Sequence, residues 1–148
     1  MTSRCHFWLV ALALLGFGCN RGAKPAVASG PSSPPGWEVR YNATIALARR
    51  GSERIKDEQV WENLQEMLDE EQQLRNSRRK VKDGAEVPDE AGARITVITA
   101  LQAIDELHRK RPEMDLSGLT AAVEQLTRSS NMAVSTEARK TQQLLTQK

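Results

Sequence analysis

The stretch from Val39 to Gly51, V-R-Y-N-A-T-I-A-L-A-R-R-G, constrains the fold of this chain more than any other. At about 100° per residue on a helix, Val39, Ala43, Ala46 and Leu47 fall on one face. Trp37, Tyr41, Ile45 and Ala48 fall on a second, nearly opposite face, and the polar side is narrow: Glu38, Asn42 and Arg49. A surface helix on a single core needs one apolar stripe. Two stripes predict a helix covered on two sides, by its own hairpin mate and by the next hairpin in a stack. The small side chains Ala43, Ala46 and Ala48 allow close helix approach. Gly51 stands where a C-terminal cap needs a left-handed residue. At the other end Ser33 is a candidate cap, with Pro34 near the first helical position.

The rest of the mature chain reads as partners for this helix. Aromatic residues make up only 4% of the 148 residues, which favours helix over sheet. A second helix is expected from about Asp57, a good N-cap, to Arg75. Val60, Trp61, Leu64, Met67 and Leu68 form its apolar stripe, and Glu62, Glu66, Asp69 and Glu70 its charged face. Residues 76–87 form a long polar connection with Arg78, Arg79, Lys80 and Lys82, then the turn signal Asp83-Gly84. It reads either as a loop that captures an acidic partner or as a plain solvated loop, with the second helix running on into its basic part.

A third helix opens near Pro88, with Asp89 and Glu90 in its first turn. It buries Ala93, Val97, Ala100, Leu101, Ile104 and Leu107, carries Ile95 and Ile98 on its flank, and ends at Pro112. A fourth follows Asp115, with Leu116, Leu119, Ala122, Val123 and Leu126 inward; Gly118 weakens its first turn. Ser129-Ser130-Asn131 breaks it. A fifth, about Met132 to Thr146, with Val134, Ala138 and Leu145 on one side, covers the end. The expected class is all-α, with about five helices over residues 36–148.

The N-terminal segment carries an address. Arg4 and the apolar run Phe7 to Phe17 have the form of a signal segment, too short to span a bilayer comfortably. Leu15-Gly16-Phe17-Gly18-Cys19 resembles the lipobox of bacterial lipoproteins, in which the cysteine becomes the lipidated first residue; Gly16 departs from the usual Leu. The domains expected are a signal peptide at 1–18, a lipid-attachment Cys19 with a disordered linker through 35, and a helical domain at 36–148. The resemblance implies a membrane-anchored protein on the periplasmic side or at the outer membrane. The alternative is ordinary cleavage, after Ala26-Val27-Ala28, which would give a soluble secreted or periplasmic protein. Residues 20–36, rich in Gly, Ala, Pro and Ser, cannot bury enough surface to offset their ordering entropy and read as a tether.

Within the body, Arg40, Ala43, Ala46 and Leu47 match Arg94, Val97, Ala100 and Leu101 at a spacing of 54, and Val39 and Ala43 match Val134 and Ala138 at 95. The V-R-x-x-A-x-x-A-L pattern at 39–47 resembles the short HEAT repeats of bacterial proteins. That resemblance implies a short α-α superhelix used as a protein-interaction scaffold; a plain helical bundle is the other packing open to these helices.

Little chemistry is offered. Lys plus Arg total 21 against 19 acids, and no aromatic platform accompanies the basic residues, so nucleic acid is not an expected partner. Both cysteines, Cys5 and Cys19, lie in the N-terminal segment, and His6 leaves with it. His108 alone makes no zinc site, and no phosphate loop, G-x-S-x-G or H-E-x-x-H appears. Neither a catalytic residue, a cofactor nor a metal is expected. The acids of the second helix have spacing suited to paired-carboxylate work, but such acids usually form a solvated face. Candidate partner contacts are Trp37, otherwise a core anchor, and Arg78, Arg79 and Lys80. The expected function is a non-enzymatic scaffold binding another envelope protein; the alternatives are a HEAT-like lyase or enzyme accessory and a purely structural envelope protein.

Overall fold

The computed structural model describes residues 36–147, and the chain over that span is all-α. Six helices follow in order: α1 Trp37–Arg50, α2 Glu58–Leu68, α3 Glu70–Asn76, α4 Glu90–Lys110, α5 Ser117–Leu126 and α6 Met132–Thr146. A 3₁₀ turn, Glu53–Lys56, joins α1 to α2, and a small hairpin of β1 Arg78–Lys80 and β2 Glu86–Pro88 joins α3 to α4. Cys19, the lipobox, the linker and the Ser33–Pro34 cap lie outside the described residues.

The hub is α4, not α1. It packs against α1, α2, α3 and α6, while α5 is held by α2 and α6. This follows from its composition. Ala93, Val97, Ala100, Leu101, Ala103, Ile104 and Leu107 are all buried, an arc wide enough for several neighbours. The six inward residues expected of it are all in the core.

One face of α1 is covered, rather than two. Tyr41, Thr44 and Ala48 are buried, and Trp37 and Ile45 are half-buried beside them. Val39 is 71% exposed, Ala43 and Ala46 are also exposed, and Leu47 lies at the margin. The two candidate stripes differ in size: Trp37, Tyr41, Ile45 and Ala48 remove more apolar area from water than Val39, Ala43, Ala46 and Leu47, and the larger one takes the core. The internal match shifts accordingly. Burial pairs Tyr41 with Val97, Thr44 with Ala100 and Ala48 with Ile104, a spacing of 56, so the 54-residue register places exposed Ala43 and Ala46 against buried Val97 and Ala100.

The second expected helix is two helices. Asp69 leaves helical geometry (φ −82°, ψ 96°), and its carboxylate accepts the Gln72 backbone N–H at 2.9 Å as the cap of α3. Asp57 caps α2 by position only; its carboxylate takes the Arg54 Nε–H at 3.2 Å. Pro88 does not open α4. It closes β2, and Asp89 is the cap, accepting from Gly92 N–H at 3.1 Å. Asp115 caps one residue away from its expected place, accepting from Ser117 N–H at 2.9 Å. Gly118 has a packing reason: a Cβ there would meet the Trp61 ring at 3.2 Å.

Two ion-dipole contacts fix the directions of the helices. Lys110 Nζ donates to the Arg49 carbonyl, and Arg111 Nη1 to the Gly51 carbonyl at 3.2 Å. So α1 and α4 lie side by side with their C-terminal ends together. Their N-terminal ends share the opposite end of the molecule with the hairpin, which runs directly into α4.

Candidate functional site

The connection at 76–87 is an ordered hairpin, neither a loop nor a helical extension. Arg78 pairs with Pro88, Arg79 with Val87 and Lys80 with Glu86, antiparallel. Val81 N–H donates to Ala85 O and Gly84 N–H to Val81 O, each at 2.9 Å. The Asp83 carboxylate closes the turn by accepting from Ala85 N–H at 3.0 Å. Asp89 N–H to Ser77 O, 2.8 Å, ties the base. Asp83 and Gly84 mark a turn in the sequence, but the strands beside it, R-R-K and E-V-P, lack the β-branched alternation that announces a hairpin.

Arg78, Arg79, Lys80 and Lys82 are all exposed, and among the described residues none of them forms an ion pair. Several cations elsewhere are engaged. Arg75 meets Glu71 at 3.4 Å, Arg128 meets Glu124 at 2.9 Å, and Arg111 meets Glu53 at 3.0 Å. The hairpin therefore presents charge that the protein itself does not use.

Trp37 belongs to the same end. Its ring lies edge-on to Tyr41, centroids 5.1 Å apart at 72°. The Tyr41 hydroxyl accepts from Gln73 Nε2 at 3.1 Å, and Gln73 also donates to the Glu66 carbonyl at 2.8 Å. Burial pushes the Tyr41 phenol up to about 12, with Asn76 and Glu66 also in reach. This buried node joins α1 to α3 one turn before Ser77. The sequence gives no sign of it, because Gln73 reads there as a surface residue. Nearby, Arg40 Nη1 donates to Asn63 Oδ1 at 3.1 Å, fastening α1 to α2.

The acids of the expected charged face are divided among structural tasks. Asp69 caps α3, Glu66 accepts from Gln72 Nε2 at 3.1 Å, and Glu70 accepts from Ser129 Oγ at 2.9 Å; Glu62 is exposed. They do not converge on a point. A shallow, open depression of about 580 Å³ is lined by Glu70, Ala121, Glu124, Gln125, Arg128 and Ser129, where Glu124–Arg128 and Glu70–Ser129 satisfy each other. His108 is half-buried in the last turn of α4. Among the described residues no group of three or more His, Cys, Asp or Glu is placed to hold a metal, and no helix is long and apolar enough to cross a membrane.

Comparison with family models, with curated proteins and with solved structures finds no match to this chain.

Proposed function

We propose that this chain is a non-enzymatic, HEAT-like protein-interaction module held at the bacterial cell envelope by lipidated Cys19, and that it contacts another envelope protein across the open face of α1. The observation that carries the reading is that face: Val39, Ala43 and Ala46 lie opposite the core, with Val39 71% exposed and nothing among the described residues over it. Apolar side chains aligned on one helix face suit a partner helix better than water. The side-by-side, same-direction packing of α1 and α4 is what a repeat-like stack gives its corresponding helices. Among the described residues α1 is the first helix, and nothing covers its outer face.

The test is site-specific photocrosslinking in cells producing the full chain. A probe at position 43 is expected to give one discrete product with a different protein, and a probe at exposed Glu62 none. No product at 43, or one at twice the chain mass, overturns the reading. For the anchor, Cys19→Ser is expected to move the protein out of the membrane fraction and to remove the acyl mass from the mature chain. Unchanged mass and fractionation would refute lipidation.

A further inference from the structure

The hairpin cations call for a different occupant from the α1 face. Arg78 and Lys80 project from one face of β1 and Arg79 from the other, since strand side chains alternate, and Lys82 sits in the turn. Cations spread round a projection do not converge on a single anion, as a phosphate or carboxylate pocket requires. They suit a surface of many anions into which the projection is pressed. Two carboxylates accompany them. Glu86 stands directly across from Lys80, and Asp83 is occupied in the turn. Arg78 and Arg79 face Pro88 and Val87, so no acid opposes them across the ladder.

The place of the hairpin says which surface. Described structure begins at Gly36, immediately before α1, and the N-terminal end of α1 is tied through Tyr41 and Gln73 to the helix that leads into the hairpin. Residues 1–35 thus join the body at the hairpin's end. Cys19 stands 17 positions before Gly36, a reach of at most about 60 Å. A chain tied to a bilayer at Cys19 keeps this end within that reach of the headgroups. Trp37, half-buried at the same end, is a residue type that settles at headgroup level.

We propose that Arg78, Arg79, Lys80 and Lys82 form a hairpin that docks on anionic phospholipid headgroups and orients the module with this end toward the membrane. The inference rests on reading the chain as membrane-tethered. It leaves the face of α1 to the protein partner.

The experiment uses the full chain carrying Cys19→Ser, so that no acyl group contributes, and measures partition onto vesicles of phosphatidylcholine with and without phosphatidylglycerol. The apolar run at 7–17 contributes to both; the ratio between them reads charge. A cation at an anionic surface contributes about fivefold in partition. Arg78→Glu with Arg79→Glu is therefore expected to cut the ratio at least about tenfold. Lys56→Glu with Arg109→Glu changes net charge equally at the opposite end of the molecule and is expected to cut it far less. The wild-type ratio is expected to collapse at about 1 M salt, where the Debye length is about 3 Å. Circular dichroism confirms that both variants stay folded; if the hairpin pair unfolds, Arg78→Gln with Arg79→Gln replaces it and is expected to lose about half as much on a logarithmic scale. A wild-type ratio of one, or equal losses at the two ends, overturns the proposal. So does hairpin-dependent binding to soluble polyglutamate with none to vesicles, which would make the occupant an acidic protein. Crosslinking at α1 does not enter this measurement, so the two readings stand or fall separately.

Discussion

Arg111 Nη1 donates to the Gly51 carbonyl at 3.2 Å across 60 residues of sequence, so the end of α4 closes the end of α1. Its Nη2 holds Glu53 at 3.0 Å and its Nε holds Glu113, and these carboxylates raise the guanidinium pKa above its ordinary value. The three N–H groups of a lysine radiate from one nitrogen and cannot reproduce the spread of a guanidinium over three acceptors. Arg111→Lys is expected to speed amide hydrogen exchange in the last turn of α1 and leave α6 unchanged. Equal protection in both variants would show the contact to be incidental.

Gly51 is fixed twice over: φ is +67°, and a Cβ would meet Lys110 Cβ at 3.1 Å and Arg111 Cγ at 3.3 Å. Gly51→Ala is expected to cost about 1–2 kcal/mol in denaturant unfolding, from the left-handed backbone alone, with crowding adding to it.

Tyr41 is the one tyrosine of the chain, so tyrosinate absorbance reads it alone. Its ordinary value of 10.0 rises to about 12 in the fold. Below pH 10 the phenol is protonated in both folded and unfolded chains. Between 10 and about 12 only the unfolded chain ionises, so stability is lost as pH rises through that window, by about 2–3 kcal/mol in total. Tyr41→Phe should abolish this alkaline loss and cost about 1 kcal/mol at neutral pH, since Gln73 Nε2 keeps the Glu66 carbonyl. A midpoint near 10 in the native protein would contradict the buried placement.

Asp105 is 4% exposed, and its charge is met by Lys140 Nζ, 3.2 Å from Oδ2 and outside hydrogen-bond geometry. The same ammonium holds Glu137 at 2.9 Å; first Glu137 and then Asp105 raise its pKa. Lys140→Met leaves Asp105 buried without its countercharge. The expected loss is about 1–2 kcal/mol, less than for a fully buried pair because Lys140 is itself 58% exposed. Adding Asp105→Asn should recover part of it. If Asp105→Asn worsens Lys140→Met, the ion pair is not the source of the loss.

Leu101→Ala should cost about 2–5 kcal/mol, and Val39→Ser should stay within about 0.5 kcal/mol. Similar losses at both would mean that α1 is covered on two sides after all.

Much of this fold was legible because helical spacing selects whole stripes. Val97, Ala100, Leu101, Ile104 and Leu107 could lie on no other face of α4. The stripe rule failed at α1 because it counts apolar positions and ignores their area; both faces qualified, and only size separated them. Asp69 was hidden for a different reason. Its run of acids reads as a solvated helix face, yet Asp69 and Gln72 stand at the spacing of a capping pair. Of the candidate site residues, Arg78, Arg79 and Lys80 were visible as charge, but their ordered display depends on hydrogen bonds of backbone groups that no side-chain pattern encodes.

The central position of α4 governs how the domain comes apart. In a long row of repeats an end can melt while the middle stands, because each unit leans only on its neighbours. Here α4 touches α1, α2, α3 and α6, and α2 touches α1, α3, α4 and α5, so the helices lean on two shared neighbours rather than only along a row. Among the described helices α5 rests chiefly on α2 and α6, which gives it a route to local opening. The remainder shares one fate: losing α4 strips α1, α3 and α6 together, so heat or denaturant should meet one sharp transition and no half-folded remnant.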